Sequence, residues 1–191
     1  MMKTIEKEVY AELEEKKSRF LAFLVPIKTF DARLEALRVE HRKASHHVTA
    51  FRCIHDDDRI EEGAKDDGEP AGTSGMPMLK VLIGRDLINC GVIVVRYFGG
   101  TKLGAGGLAR AYSGAASMAI DRADLVTWER IETRTATGRF EQTSDIERQI
   151  TLLSLEVLER NYHEEGVDIT LKGPQSALED FDAFMEELNL Y

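Results

Sequence analysis

Apolar residues recur along this chain with two different periods, and the period at each stretch separates strands from helices. Ser18 to Ile27 (SRFLAFLVPI) is a dense run of β-forming residues broken by Pro26, which predicts a strand. Directly after it, Phe30, Leu34, Leu37 and His41 return every three or four positions, as one face of a helix does. Asp31 falls in that helix's first turn, where the helix dipole favours a carboxylate. From His46 to His55 the side chains alternate. His47, Thr49, Phe51 and Cys53 fall on one face, and His46, Val48, Ala50, Arg52 and Ile54 on the other. Asp56-Asp57-Asp58 ends this run as a hairpin turn would. Cys90 to Phe98 (CGVIVVRYF) holds Val92 to Val95, four β-formers with no polar face, so this strand is expected in mid-sheet, covered on both sides. A helix from Leu108 to near Asp121 follows. Ala109, Ala111, Ala115, Ala116 and Ala119 make it slim enough to approach the sheet closely.

After Asp121 the texture changes. Residues 131–140 alternate weakly as a strand, and Ser144 to Leu155 reads as an amphipathic helix. Glu156 to Tyr162 and Val167 to Lys172 form a hairpin pattern around Glu165-Gly166. Pro174 to Leu188 is a last helix with Leu178, Phe181 and Met185 on one face. The order β-α-β-β-α begins a ferredoxin-like domain, whose fourth strand has to come from Leu190-Tyr191 or be missing. The reading is therefore an α+β protein of two domains, residues 1–127 and 128–191.

Charge divides the same way. Residues 1–130 carry equal numbers of basic and acidic side chains, whereas residues 131–191 carry five basic against fourteen acidic, which accounts for the whole net charge of −9. An acidic second half is a poor counterion for phosphates, so any nucleic-acid contact is expected in the first half. The N-terminal stretch MMKTIEKEVY lacks the apolar core of a signal peptide, and no apolar run is long enough to span a bilayer. Cys53 and Cys90, the two cysteines, form no CxxC pair. The expectation is a cytoplasmic protein with reduced, inert thiols buried in strands, and no membrane association.

Two segments carry candidate chemistry. In Asp66-Asp67-Gly68-Glu69-Pro70-Ala71-Gly72-Thr73-Ser74-Gly75, three carboxylates within four positions repel unless a cation or hydrogen-bond donor answers them. Glycines and hydroxyls follow where a helix starts, with Pro77 in its first turn, and free amides there favour an anion. A solvated acidic turn with an N-cap is the plainer alternative. The second segment runs from Arg96 to Arg110. A strand ends in Gly99 to Gly107 (GGTKLGAGG), five glycines in nine residues, flanked by Arg96, Lys102 and Arg110. Such a loop lets backbone amides line a concavity for phosphate or carboxylate. Close packing of loop and helix on the sheet is its plainer alternative.

Known signatures fit poorly. Gly104 to Ala109 matches G-x-G-x-x-A in form only, because five residues separate Phe98 from Gly104 and no second βαβ unit follows. Lys102 is followed by Leu103, which excludes a Walker A motif. His46 and His47 face opposite ways on their strand, so they cannot share a metal, although Asp66, Asp67 and Glu69 could join His46 around a cation. No metal spacing, cofactor motif or catalytic acid/base pair is recognisable.

Ser18-Arg19-Phe20, Ala44-Ser45-His46, the Asp66–Gly75 segment and Arg96-Tyr97-Phe98-Gly99-Gly100-Thr101-Lys102-Leu103-Gly104 together resemble the IMPACT family, over residues 4–122. The resemblance implies an N-terminal domain like the second domain of ribosomal protein S-five, a sheet backed by helices with a left-handed crossover. It implies a C-terminal ferredoxin-like domain similar to the last domain of elongation factor G. Eukaryotic relatives regulate translation by binding a partner in the amino-acid-starvation kinase pathway. The resemblance therefore implies a non-enzymatic binding or regulatory protein, with RNA, the ribosome or a translation-regulatory protein as partner and no cofactor.

The expected ligand groove comprises Arg19, His46, Asp66, Asp67, Glu69, Gly72, Thr73, Ser74, Arg96, Gly99, Gly100, Lys102, Gly104, Gly106, Gly107 and Arg110, with the two glycine-bearing segments folded side by side. Two other readings use the same residues: an enzyme acting on a phosphorylated small molecule or nucleotide, and a pure protein-interaction adaptor.

Overall fold

The apolar run at Cys90–Tyr97 (β6) is the middle strand of a five-stranded sheet. In the computed structural model, which describes residues 1–189, its neighbours are β3 (Ser18–Pro26) on one side and β4 (His46–Ile54) on the other. β2 (Val9–Glu15) and β5 (Ile60–Lys65) form the edges. Every neighbouring pair is antiparallel. β3 and β4 therefore run parallel to each other with β6 between them, and α1 (Phe30–Glu40) carries the chain across from one to the other.

Period-two alternation sends Phe20, Ala22, Leu24, Val48, Ala50, Val92 and Val94 to one face of this sheet. There they pack on Met78, Leu79 and Leu82 of α2 (Gly75–Gly84) and on Leu108, Tyr112, Ala115, Ala116 and Ala119 of α3 (Gly104–Asp121). The other face presents Leu21, Phe23, Val25, Ile93 and Val95 to Phe30 and Leu37 of α1. Fully burying one such large side chain stabilises the fold by about 1.5–3 kcal/mol. The doubly covered run Val92–Val95 is thus the centre of the fold. A two-stranded ribbon, β1 (Lys3–Thr4) with β7 (Val126–Thr127), completes the unit Met1–Trp128.

Three features differ from the sequence reading. β2, with its polar sequence VYAELEE, gave no strand signal, yet it pairs with β3 along its whole length. Lys16 and Lys17 both take positive φ (45° and 65°) and make the two-residue turn between them. Ile60–Lys65, to which the sequence reading assigned no element, forms β5, so the polar loop begins at Asp66. α3 starts at Gly104 instead of Leu108, which puts Gly106 and Gly107 inside the helix.

The second unit starts at Glu129. It runs β8 (Ile131–Arg139), α4 (Thr143–Leu152), β9 (Glu156–His163), β10 (Gly166–Pro174) and α5 (Gln175–Asn189), with the antiparallel sheet order β8-β10-β9. Ile146, Ile150, Leu178, Phe181 and Met185 of the two helices meet Val167, Ile169 and Leu171 of β10 in one core. The opposite sheet face is polar, with Thr135 and Thr170 hydroxyls 3.1 Å apart and the Thr137 hydroxyl donating to Asp168 at 2.6 Å. α4 stops at Leu152, three residues short of the predicted end, because Ser154 turns the chain with φ 53°. The fourth strand expected at Leu190-Tyr191 lies outside the described residues. Among the described residues, no helix is long and apolar enough to cross a membrane.

Candidate functional site

The two glycine-bearing segments meet at one hollow of about 340 Å³, open to solvent. Its wall combines His46 at the start of β4, Glu69 and Pro70 of the acidic loop, Arg96 and Phe98 at the end of β6, and Lys102 to Ala105 with Leu108 at the start of α3. The sheet register explains part of this convergence. His46 lies directly opposite Arg96 on neighbouring strands, so both side chains project to the same face.

Arg96 and Glu69 form the floor. Their side chains are 5% and 4% exposed, and the Arg96 Nη1–H donates to Glu69 Oε1 at 2.5 Å. The Tyr112 hydroxyl on α3 donates to the same oxygen at 2.7 Å. Burial, then the hydrogen bond to Glu69, push the Tyr112 phenol far above its ordinary range, so it remains a donor. Arg96 Nη2 reaches the buried Ser18 hydroxyl at 3.3 Å. Its third nitrogen, Nε, is buried with no hydrogen-bond partner among the described residues. An unanswered buried donor costs about 1–3 kcal/mol, and guanidinium groups are rarely left so.

His46 closes one side. Its Nδ1–H donates to the Asp67 carbonyl at 2.8 Å, which turns Nε2 towards Glu69 at 3.6 Å. On the opposite side the first turn of α3 enters the hollow without a side-chain cap. Gly104 adopts φ +74°, a conformation that favours glycine. Upstream, Gly99 lies against the neighbouring hairpin: a Cβ there would stand 2.1 Å from the Lys17 carbonyl carbon, and the Gly99 N–H donates to the Ser18 hydroxyl at 3.0 Å. This contact fixes where the loop leaves the sheet.

Several residues expected in the groove are used elsewhere. The amides of the acidic segment are occupied by the protein itself: Gly72 and Gly75 N–H donate to the Asp66 carboxylate at 2.8 and 2.9 Å, and Ser74 N–H at 3.1 Å. Burial raises the Asp66 carboxyl, but the amides of Gly75, Gly72 and Ser74 outweigh it and hold the group below its ordinary range. Gly72, Thr73 and Ser74 thus build a turn, with the Thr73 hydroxyl donating to the Pro70 carbonyl at 2.6 Å. The carboxylate of Asp67 accepts from the His47 amide at 2.7 Å and pairs with Arg38 of α1 at 3.4 Å.

Arg19 alternates to the opposite sheet face from Phe20, pairs with Glu12 at 2.7 Å and lies over the Tyr97 ring. Arg110 and Gly107 line a separate hollow of about 220 Å³ with Leu13, Glu15 and Lys16. Gly100, at φ +89°, shapes the loop, and Gly106 faces the Arg110 guanidinium.

Of the expected residues, then, His46, Glu69, Arg96, Lys102 and Gly104 line one hollow. Sequence reading missed its apolar wall, Pro70, Phe98, Leu103 and Leu108, and the buried partners Ser18 and Tyr112. Tyr112 carried a signal, since it sits four positions after Leu108 on the apolar face of α3. Cys53 also departs from expectation. It is half-buried near the tip of the β4–β5 hairpin beside His55 and Glu61, whereas Cys90 is fully buried and its thiol is pushed up to about 12 by burial.

Comparison with known proteins places the chain in a family. Residues 16–120 match the model of the Impact N-terminal domain. An IMPACT family member of Bacillus subtilis, YvyE, is 31% identical over 97% of this chain and 85% of its own length. The Escherichia coli member YigZ is 44% identical over 56% of this chain, a match that spans 54% of that relative. A solved structure described as a hypothetical protein covers 98% of this chain and 92% of its own, with 30% identity and a TM-score of 0.67. A structure of the two-domain translational regulator Yih1 covers 62% of this chain and 48% of its own, with 29% identity and a TM-score of 0.42. With the domain model spanning more than half of its residues, this chain belongs to the IMPACT family.

Proposed function

We propose that the N-terminal unit is a non-enzymatic binding module for a phosphate-bearing partner, with single-stranded RNA the partner its chemistry fits best. The observation that carries this reading is Arg96. Its guanidinium is buried at the floor of the hollow with Nε unanswered among the described residues, in a wall that also holds Lys102 and the start of α3, which has no side-chain cap. Backbone amides at a helix start and a nearby cation make a ready phosphate site. Phe98, 51% exposed at the rim, offers a ring on which a base can stack. A tethered base and phosphate would use both the apolar wall and the donors of Arg96, Lys102 and the start of α3.

The family's implied link to translation agrees with such a partner. The antiparallel order β2-β3-β6-β4-β5 and the order β8-β10-β9 support reading the two units as the S-five-like and elongation-factor-G-like folds. The apolar share of the wall also favours a second reading, in which a partner protein inserts an apolar side chain beside Phe98.

Fluorescence anisotropy with a labelled single-stranded RNA over a salt series tests the first reading. Log affinity is expected to fall by about 0.7 per phosphate contact for each log unit of salt. Lys102→Ala should remove about one contact from that slope, and Phe98→Ala should weaken binding by about 1–3 kcal/mol. Absence of binding, or binding indifferent to salt, would refute it. Capture of a protein that survives nuclease and depends on Phe98 would favour the second reading.

A further inference from the structure

The tip of the β4–β5 hairpin brings together a thiol, an imidazole and a carboxylate away from the hollow. Cys53 and Glu61 are direct cross-strand partners, so their side chains project from the same face. His55 follows Cys53 by two positions and shares that face. The hairpin is closed at this point by the His55 N–H donating to the Arg59 carbonyl at 2.9 Å. The Cys53 Sγ lies 4.0 Å from His55 Nε2 and 4.0 Å from Glu61 Oε2, and those two atoms are 2.7 Å apart. All three ligand atoms fall within 4.8 Å of one another.

We propose that Cys53, His55 and Glu61 bind one zinc ion, with the fourth position open to water. Zinc bonds of about 2.0–2.3 Å in a tetrahedron place ligand atoms about 3.4–3.6 Å apart. The thiol therefore moves in slightly, and the imidazole and carboxylate part, each by less than about 1 Å. Rotation of half-exposed side chains accommodates shifts of this size. A thiolate with an imidazole selects zinc over magnesium or calcium, which take oxygen ligands. On binding, the Cys53 S–H proton leaves to solvent and a sulfur–zinc bond forms, so the net reaction releases one proton.

Cobalt substitution on the full chain tests the site independently of the hollow. One equivalent of cobalt should give a thiolate-to-metal charge-transfer band, absent in Cys53→Ser. Glu61→Gln and His55→Ala should each weaken zinc binding on the order of tenfold or more, measured by competition with a chromophoric chelator. Zinc should also raise the melting temperature of the native protein but not of Cys53→Ser. The two proteins should melt together in chelator, which shows that the variant folds. No band in the native protein, or an equal band in Cys53→Ser, overturns the proposal.

Discussion

Replacing Glu69 with glutamine tests whether the buried pair beneath the hollow organises it. The substitution keeps the shape and an oxygen for the Tyr112 hydroxyl, but leaves the Arg96 guanidinium, 5% exposed, without a counter-charge. Breaking a buried ion pair by removing one partner costs about 3–5 kcal/mol. Because glutamine can still accept from Arg96, the lower end applies, about 3 kcal/mol. Over the unit Met1–Trp128 the unfolding entropy is about 0.27 kcal/mol/K, so that loss lowers Tm by about 10 °C. Differential scanning calorimetry reads the shift directly. Arg96→Met alone should cost a comparable amount. Combined with Glu69→Gln it should cost less than the two single losses together, with coupling of about 1–3 kcal/mol. A Tm loss below about 4 °C for Glu69→Gln corresponds to about 1 kcal/mol, the range of exposed pairs. That result would show that the pair is not what fixes Arg96.

Asp66→Ala strips three backbone amides of their acceptor and should destabilise by about 1–2 kcal/mol in urea unfolding, with Asp66→Asn costing less. Acid should weaken the fold in two stages. His47, held below its ordinary value mainly by burial, contributes stability that is full above about pH 6.5 and declines below it. Asp66 and Asp67, both held below the usual carboxylate value, contribute stability that is full above about pH 3.9 and is lost as pH falls further. Thermal melts from pH 7 to 3 should therefore fall twice; a flat profile would contradict these partners. Gly99→Ala places a methyl 2.1 Å from the Lys17 carbonyl carbon, and should cost at least about 1–3 kcal/mol and loosen the loop that ends at Lys102.

How much of this was legible in the sequence depended on the range of the interaction. β6 and the two faces of β4 were readable because burial alone writes their pattern. β2 was not, because an edge strand with Glu12, Glu14 and Glu15 needs only one apolar face, and its pairing with β3 is set by a two-lysine turn of positive φ. The start of α3 was misplaced because glycine disfavours helix by about 1 kcal/mol, while docking of the following alanines on the sheet outweighs that local preference.

In the candidate site, the convergence of His46, Glu69, Arg96 and Lys102 could be anticipated from the two glycine-bearing segments. The fate of Asp66 could not. Which carboxylate takes the amides of Gly72, Ser74 and Gly75 depends on how the chain doubles back from β5. Arg19 was assigned to the hollow although its alternation with Phe20 places it on the opposite sheet face. That error was avoidable from period two alone.

The most direct test of the hollow as a phosphate site is a nitrogen–proton NMR titration of the full chain with a short single-stranded RNA. The amides of Gly104, Ala105 and Gly106 at the start of α3, with the Arg96 Nε–H, should shift together and saturate at one affinity. The amides of Gly72, Ser74 and Gly75, already held by Asp66, should stay in place. Unmoved α3 amides at saturating RNA, or shifts confined to other surfaces, would contradict the assignment.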